Sequence, residues 1–443
     1  MSQKNPRKFL KTLIASVFFF ICLIPVHFLS EFLFFRLDPR TFCTMYDLQQ
    51  MDDLQFVVVG NSMAAANLDP EVIDECLDTN SFLLTKSASL SYAATAMVEY
   101  MFELGHRPAQ MVLMFDPVFQ YSREDLSVQT TFTPYLSLKN RIDYTLATAE
   151  HDDLWLDRIF PLRSQRVLSL QELYLDLKCK FFPHLVYDTK AAVISGMYTY
   201  EGRGHTPYAD FNKVESLEEG SHYLSPWGID TLPENFITQV EKIAALCKEY
   251  NCDLIFTTTP LIRNKALADK ALLSACNAMA NYCAEKGYAY FNFTYTKPEY
   301  MPDYNQGGYY DKGDHLRGSL VPEFTRSVYC RVLKDYYDGK DVSHYFYTYD
   351  EWLNAVDFIS DAWFVDSEEN GLMTYTAYAH YGPQVQPLFQ FVEVDENGNE
   401  SILREYSDES VFSIAGDELN GIVRMYAMNQ NNPAQEPLVY ELH

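Results

Sequence analysis

Apolar residues are patterned in three different ways along the chain. Over 12–29 they run without an acidic or basic side chain other than His27, and Phe32-Leu33-Phe34-Phe35 extends the run beyond Ser30-Glu31. A helix needs about 20 mostly apolar residues to cross a bilayer's hydrocarbon core. The first pattern therefore predicts one membrane-spanning helix within 12–35, behind a short stub at 1–11. The second pattern alternates short β-branched runs with 3.6-period stretches. Strands are predicted at 54–59, 82–84, 111–115, 254–259 and 288–293, with helices at 93–104, 235–250, 269–286 and 322–337. Strands apolar on both faces and spaced by helices predict an α/β fold, a doubly wound parallel sheet over about 52–338.

Between 120 and 233 the alternation fails. This Tyr-, Leu- and Arg-rich stretch, with a helical patch at 168–180, reads either as an insertion shaping a cleft at the sheet's carboxyl edge or as a packing elaboration. The third pattern is alternation with a period of two. Runs at 389–394 and 401–406 flank Asp395-Glu396-Asn397-Gly398-Asn399, a hairpin turn signal, and 411–414 and 422–427 continue it. A small β-sandwich-like module is expected over 348–443. Asp395, Asn397 and Asn399 imitate a calcium loop, but the glycine comes two positions early and Tyr406 stands where a bidentate Glu is required. A plain hairpin is the expectation.

Charge sharpens this division. The 443 residues carry 34 Lys+Arg against 61 Asp+Glu, a net charge of −27. That excludes a phosphate-backbone binder, which needs a basic surface, so no nucleic acid is expected as a partner. Hydrophobic content of 48% excludes a disordered chain. From Asp341 onward there are 19 acidic residues and two basic ones, Arg404 and Arg424. Lys4, Arg7, Lys8 and Lys11 precede the apolar run and only Arg36 and Arg40 follow it closely. The positive-inside bias places the N-terminus in the cytoplasm and the globular part outside the cell membrane. No small-x-small cleavage site closes the run, so an uncleaved single-pass signal anchor is expected. The nine cysteines show no CxxC and no metal-ligand spacing. Most read as buried thiols, one or two disulfides stay open, and neither a metal nor a cofactor is called for.

Two segments carry candidate chemistry. Gly60-Asn61-Ser62 follows the first predicted strand and opens a helix, which places Ser62 Oγ at the sheet edge beside helix N–H groups that can meet an oxyanion. A helix-capping role is the alternative. Tyr309-Tyr310-Asp311-Lys312-Gly313-Asp314-His315-Leu316 lies between the last strand and the final helix. A serine nucleophile needs a general base, and a histidine oriented by a carboxylate supplies one. Ser62, His315 and either Asp311 or Asp314 form the candidate site. Tyr198, Tyr200, Tyr208 and Trp227 are candidates either to stack on sugar rings or, as most aromatics do, to pack in the core, and Arg203 either contacts substrate or closes a turn.

Gly60-Asn61-Ser62 with Asn67-Leu68-Asp69-Pro70, and Asp311 to Leu316 with Glu323-Phe324-Thr325, resemble the first and last blocks of the SGNH/GDSL hydrolase family. The similarity is to its membrane-anchored bacterial branch, which includes teichoic-acid D-alanylation and alginate O-acetyltransferase proteins. It implies a Ser62 nucleophile, His315 as base, Asp311 as the preferred orienting acid, and the amides of Ser62 and Ser87 as oxyanion donors. The sequence departs from the family pattern in three places. Lys312 stands where the family's aspartate does, Ser87 replaces a glycine, and Phe115-Asp116-Pro117 lacks the family's asparagine. The resemblance implies a cell-surface serine esterase or O-acyltransferase. Its partners would be a cell-envelope polysaccharide or acyl donor and a membrane-bound O-acyltransferase. The alternative is a catalytically inactive surface protein that binds glycan or a protein.

Overall fold

The structure is a computed structural model. It describes residues 6–36, 38–86, 91–117, 131–149, 160, 162, 167, 169–182, 193–194, 198–210, 231–261, 266, 270–301, 308–309, 315–433 and 436–441.

Helix α1 (Pro6–Phe34) contains Leu10–Phe34, long and apolar enough to cross a membrane, its apolar stretch exposed up to the turn around Glu31. After α2 (Pro39–Gln50) come β1 (Phe56–Gly60), α3 (Ser62–Asn67), α4 (Pro70–Leu77), β2 (Ser81–Thr85), α5 (Ser91–Glu103) and β3 (Gln110–Met114). The interrupting region contributes α6 (Leu138–Thr148), α7 (Leu170–Phe181) and the short strands β4 (Val193–Ile194) and β5 (Tyr198–Thr199). Alternation resumes with α8 (Glu234–Glu249), β6 (Asp253–Thr258), α9 (Lys270–Lys286) and β7 (Tyr290–Asn292). The last helix, α10, begins at Val321–Phe324, passes through a π-helical turn at Thr325–Tyr329 and ends as Cys330–Tyr337.

Five strands form an all-parallel sheet in the order β2-β1-β3-β6-β7. Every residue of β1 and β2 is buried, because both faces of the sheet are covered. Val57 and Val59 pack toward α5, α8 and α9, whereas Phe56 and Val58 pack toward α3, α4 and α10. Period-two geometry sends neighbouring residues to opposite cores, which is why β1 reads as a continuous apolar run. The strand order reverses between β1 and β3. In open α/β sheets ligands bind at the carboxyl side of such a switch point, and Ser62 and Asp116 follow these two strands.

The predicted elements recur with ends displaced by a few residues. β7 is shorter than expected; at its end Asn292 caps a 3-10 turn, its Oδ1 accepting the Thr294 N–H at 3.0 Å. The loop around Gly204 covers the free edge of β2. Leu83 N donates to Arg203 O at 2.9 Å, and a Cβ on Gly204 would stand 1.8 Å from Leu83 O. Arg203, with φ of 49°, pairs its guanidinium with Asp74, so it closes this turn against the sheet.

Beyond α11 (Tyr349–Asn354), held by a Thr348–Glu351 capping box, the chain is antiparallel. β8 (Ile359–Glu369), β9 (Leu372–Tyr381) and β12 (Val411–Ala415) make one sheet. β10 (Pro387–Val394), β11 (Glu400–Ser407), β13 (Ile422–Asn429) and β14 (Leu438–Glu441) make another. Phe364 and Tyr375 of the first share a core with Phe391 and Met425 of the second. The β8–β9 hairpin is absent from the sequence expectations, although Asn370-Gly371, with φ of 55° and 76°, is a strong turn signal. Its acidic end, Asp366 to Glu369, is exposed and hides the alternation. Asp395 Oδ1 accepts the N–H groups of Asn397 and Asn399, both at 2.8 Å, which makes that turn a plain hairpin. All nine cysteines are free thiols, six of them buried.

Gly204→Ala combines a left-handed φ with a clash against β2, and should cost about 2–4 kcal/mol. Gly398→Ala, at φ of 82° in open space, should cost about 1 kcal/mol. Urea unfolding of both variants checks this, and equal losses would refute the edge-covering role of the Gly204 loop.

Candidate active site

Ser62 owes its place to the helix it opens. Asn61 is the N-cap of α3, and its Oδ1 accepts the Met63 N–H at 2.9 Å. The same side chain donates through Nδ2 to Asp116 Oδ2, so the residue after β3 fixes the cap that orients Ser62. As the first helical residue, Ser62 has a backbone N–H with no intrahelical acceptor. Lys86 N, just past β2, donates to Gly60 O at 3.2 Å and ties the neighbouring strand end to the same loop.

His315 reaches this point from the other end of the fold. Its Nε2 lies 3.0 Å from Ser62 Oγ, and both residues are buried. Three contacts fix the segment that carries it. Leu316 N donates to Asn67 Oδ1 at 2.8 Å, Gly318 N donates to Tyr208 O at 2.9 Å, and Leu316 bridges Tyr309. The Tyr208 ring lies on the imidazole with centroids 4.5 Å apart. Behind α10's start, the π turn presents Thr325 Oγ1 to the Asp69 N–H at 3.2 Å and locks α10 against α4.

A cleft of about 370 Å³ opens on the outer side of Tyr208, lined among others by Asp69, Tyr198, Glu201, His205, Asp210 and Ser319. Burial pushes the His205 imidazole down from 6.5 to about 4, against a weaker upward pull from Asp69. Burial raises the Glu201 carboxyl, assisted by Asp69 and Glu71. Asp210 is lowered by the N–H it accepts from Ser319. On the side of β2, Arg40 and Lys86 are buried and both face Asp38, with Lys86 Nζ 3.9 Å from its carboxylate. Burial lowers both cations, and Arg40 also lies 5.6 Å over the Tyr198 ring.

Of the residues singled out in the sequence, Ser62 and His315 come together, and Tyr198 and Tyr208 line the cleft. Tyr200 does not. It is buried, donating to Asp47 Oδ2 at 2.6 Å and accepting the Gly204 N–H at 3.0 Å, so it is unavailable for stacking. Asp311, Asp314, Ser87 and Trp227 lie outside the described residues. Sequence reasoning assigned no role to Asn61, Asn67, Asp116 or His205. Asn61 had a readable signal, a capping residue before a helix, whereas the partners of Asn67 and Asp116 are too distant in sequence to be inferred. Among the described residues no His, Cys, Asp and Glu group is arranged to hold a metal ion. No protein-family model matches the chain, and no curated protein matches it.

Asn67→Ala would leave the buried Leu316 N–H without its acceptor, a loss of about 1–3 kcal/mol. The expected outcome is a matching fall in thermal stability together with weakened reactivity of Ser62. Unchanged reactivity would show that this bond does not place His315.

A depressed histidine pKa means the folded state binds fewer protons than the unfolded state. His205 therefore withdraws stability as pH falls from 6.5 toward 4, by up to about 3 kcal/mol, with the raised Glu201 acting in the opposite sense. His205→Gln should flatten the denaturation midpoint across that window. A midpoint that declines as in the wild type would assign the acid lability to other groups.

Proposed function

We propose that the chain is an SGNH-type serine esterase or O-acyltransferase held at the cell surface by α1 and acting on acyl groups of envelope glycans. The observation that carries this reading is the 3.0 Å contact between Ser62 Oγ and His315 Nε2 at the carboxyl end of β1, beside the switch point. A helix-capping serine would explain neither the imidazole nor the three contacts that hold it there. The cap itself is Asn61, which leaves the Ser62 hydroxyl free for chemistry.

In this mechanism Ser62 Oγ attacks an acyl carbonyl while His315 Nε2 accepts its proton. The negative charge that develops on the carbonyl oxygen meets the Ser62 N–H, with the Ser87 amide as the second donor, and Asp311 or Asp314 steadies the imidazole. His315 then protonates the leaving alkoxide. Water or a glycan hydroxyl, deprotonated by the same imidazole, attacks the acyl-Ser62 ester and releases the acyl group. The aromatic walls Tyr198 and Tyr208 fit a sugar ring, whose CH faces pack on aromatic side chains. With the N-terminal stub in the cytoplasm, the cleft faces the envelope polymer. The substrate enters as an anchored or nearby acyl donor, with a membrane-bound O-acyltransferase as the partner for transfer.

A fluorophosphonate probe tests the mechanism directly. The wild-type full-length protein should be labelled at Ser62, Ser62→Ala should not be labelled, and His315→Ala should react at least ~10³-fold more slowly with its fold intact by circular dichroism. Labelling that persists in Ser62→Ala would overturn the assignment. A folded wild type that never labels would favour the surface-binding reading.

A further inference from the structure

α6 and α7 each expose an apolar stripe beside the exit end of α1, that of α6 flanked by the exposed Lys139–Asp143 pair. α6 turns Asn140, Arg141 and Tyr144 inward and packs on α5, yet Leu138, Ile142 and Leu146 are 55%, 44% and 68% exposed. Their i, i+4, i+8 spacing makes one stripe. α7 buries none of its residues, and Leu170, Tyr174 and Phe181 on one of its faces are 85%, 66% and 62% exposed. A stripe on one isolated helix would carry little weight. These two are tied to the same level of a third helix, α1, whose preceding turns are apolar and exposed.

The ties are specific. Arg141 makes a buried bidentate pair with Glu31, both contacts at 2.8 Å, and its guanidinium lies 6.0 Å from the Phe28 ring. Lys180 Nζ donates to the carbonyl oxygens of Phe32 and Phe35 at 2.9 and 2.5 Å, and the Phe181 ring sits 5.4 Å from that of Phe32. Counted from Thr12, the first residue after Lys11, about 20 residues at 1.5 Å each cross the hydrocarbon and end near Glu31. Glu31, Phe32 and Phe35 therefore lie at the bilayer's interface, and α6 and α7 are fixed beside them.

We propose that α6 and α7 form a collar seated in the membrane interface, with lipid as the occupant of their exposed apolar faces. Continuity with the lipid-facing surface of α1 selects lipid over a protein partner. Amphipathic helices with Lys on the polar side and Leu, Tyr and Phe on the other are suited to that depth, and Lys178 and Lys180 occupy the last turn of α7. α6 is packed on α5, whose helix covers β1 and β3. The collar therefore holds the Ser62–His315 site at a fixed height over the surface, so a substrate must be presented close to the membrane. The inference rests on reading α1 as an anchor and is independent of the chemistry assigned to Ser62.

The test uses the full chain in phosphatidylcholine–phosphatidylglycerol nanodiscs. A photo-reactive p-benzoylphenylalanine replaces Phe20, Leu146, Tyr174 or Ile402 in separate preparations, the last being exposed on β11. Mass spectrometry after irradiation should find phospholipid adducts at Phe20, Leu146 and Tyr174 and none at Ile402. Lipid at Phe20 with its loss at either Leu146 or Tyr174 overturns the collar and leaves the anchor standing. Crosslinks from Leu146 or Tyr174 to a second protein copy in place of lipid overturn it in favour of a protein interface. No lipid at Phe20 overturns the anchor and the collar together.

Discussion

Beside the Ser62–His315 contact itself, a hydrogen bond from the Leu316 N–H to Asn67 Oδ1 joins the two halves of the site across 249 residues of sequence. Asn67 ends the helix that Ser62 begins, and Leu316 follows His315, so this bond sets the Ser62 hydroxyl and the imidazole on one rigid reference. Everything around it serves that register. Asp116 holds Asn61 at the front of α3, the π turn of α10 holds Asp69 behind it, and Tyr208 covers the imidazole. A buried amide without its acceptor costs as much as a good fraction of a domain's net stability. The geometry is therefore enforced by the folding of the sheet and its flanking helices.

The electrostatics of the two sides of Tyr198 differ. On the β2 side, Arg40 and Lys86 are buried and share Asp38 among the described residues, whereas the cleft side presents Asp69, Glu201 and Asp210. Burial depresses both cations and raises Glu201, and each side lessens its desolvation penalty by moving toward neutrality. The strongly acidic C-terminal sheets stand apart from this balance. Their carboxylates are mostly exposed, and among the described residues Glu400 and Glu441 pair with Arg424, so their charge is a solvated surface property and not a feature of the cleft.

The elements that proved legible in the sequence are those whose physics is local. β1, β2, β3 and β6 are recognisable as strands covered on both faces, and α8 and α9 as amphipathic helices, because period and burial coincide there. Ser62 and His315 could be nominated because a hydroxyl after a strand and an imidazole near carboxylates are chemically unusual in their own segments. The β8–β9 hairpin was lost because an exposed acidic tip disguises its alternation, and stacking and core packing stayed open for Tyr200 because burial of one tyrosine among many has no sequence signature. Asn67 and Asp116 were invisible for a deeper reason. Their partners are fixed only when the switch-point topology brings residues 61, 67, 116 and 316 to one edge.

The interrupting region ties the apolar helix α1 to the candidate site. Its inner contacts run from Gly204 on β2 to Tyr208 on His315, while its outer contacts run from Arg141 to Glu31 and from Lys180 to the end of α1. A flexible tether would have left the cleft free to sample many heights and orientations above a surface. A buried guanidinium–carboxylate pair at the exit of α1 removes that freedom, because breaking it would leave an uncompensated charge inside the protein. The chain thus trades reach for orientation. Such a constraint is useful when acyl donor and acceptor are both confined near a bilayer, and has little value for a substrate diffusing in solution.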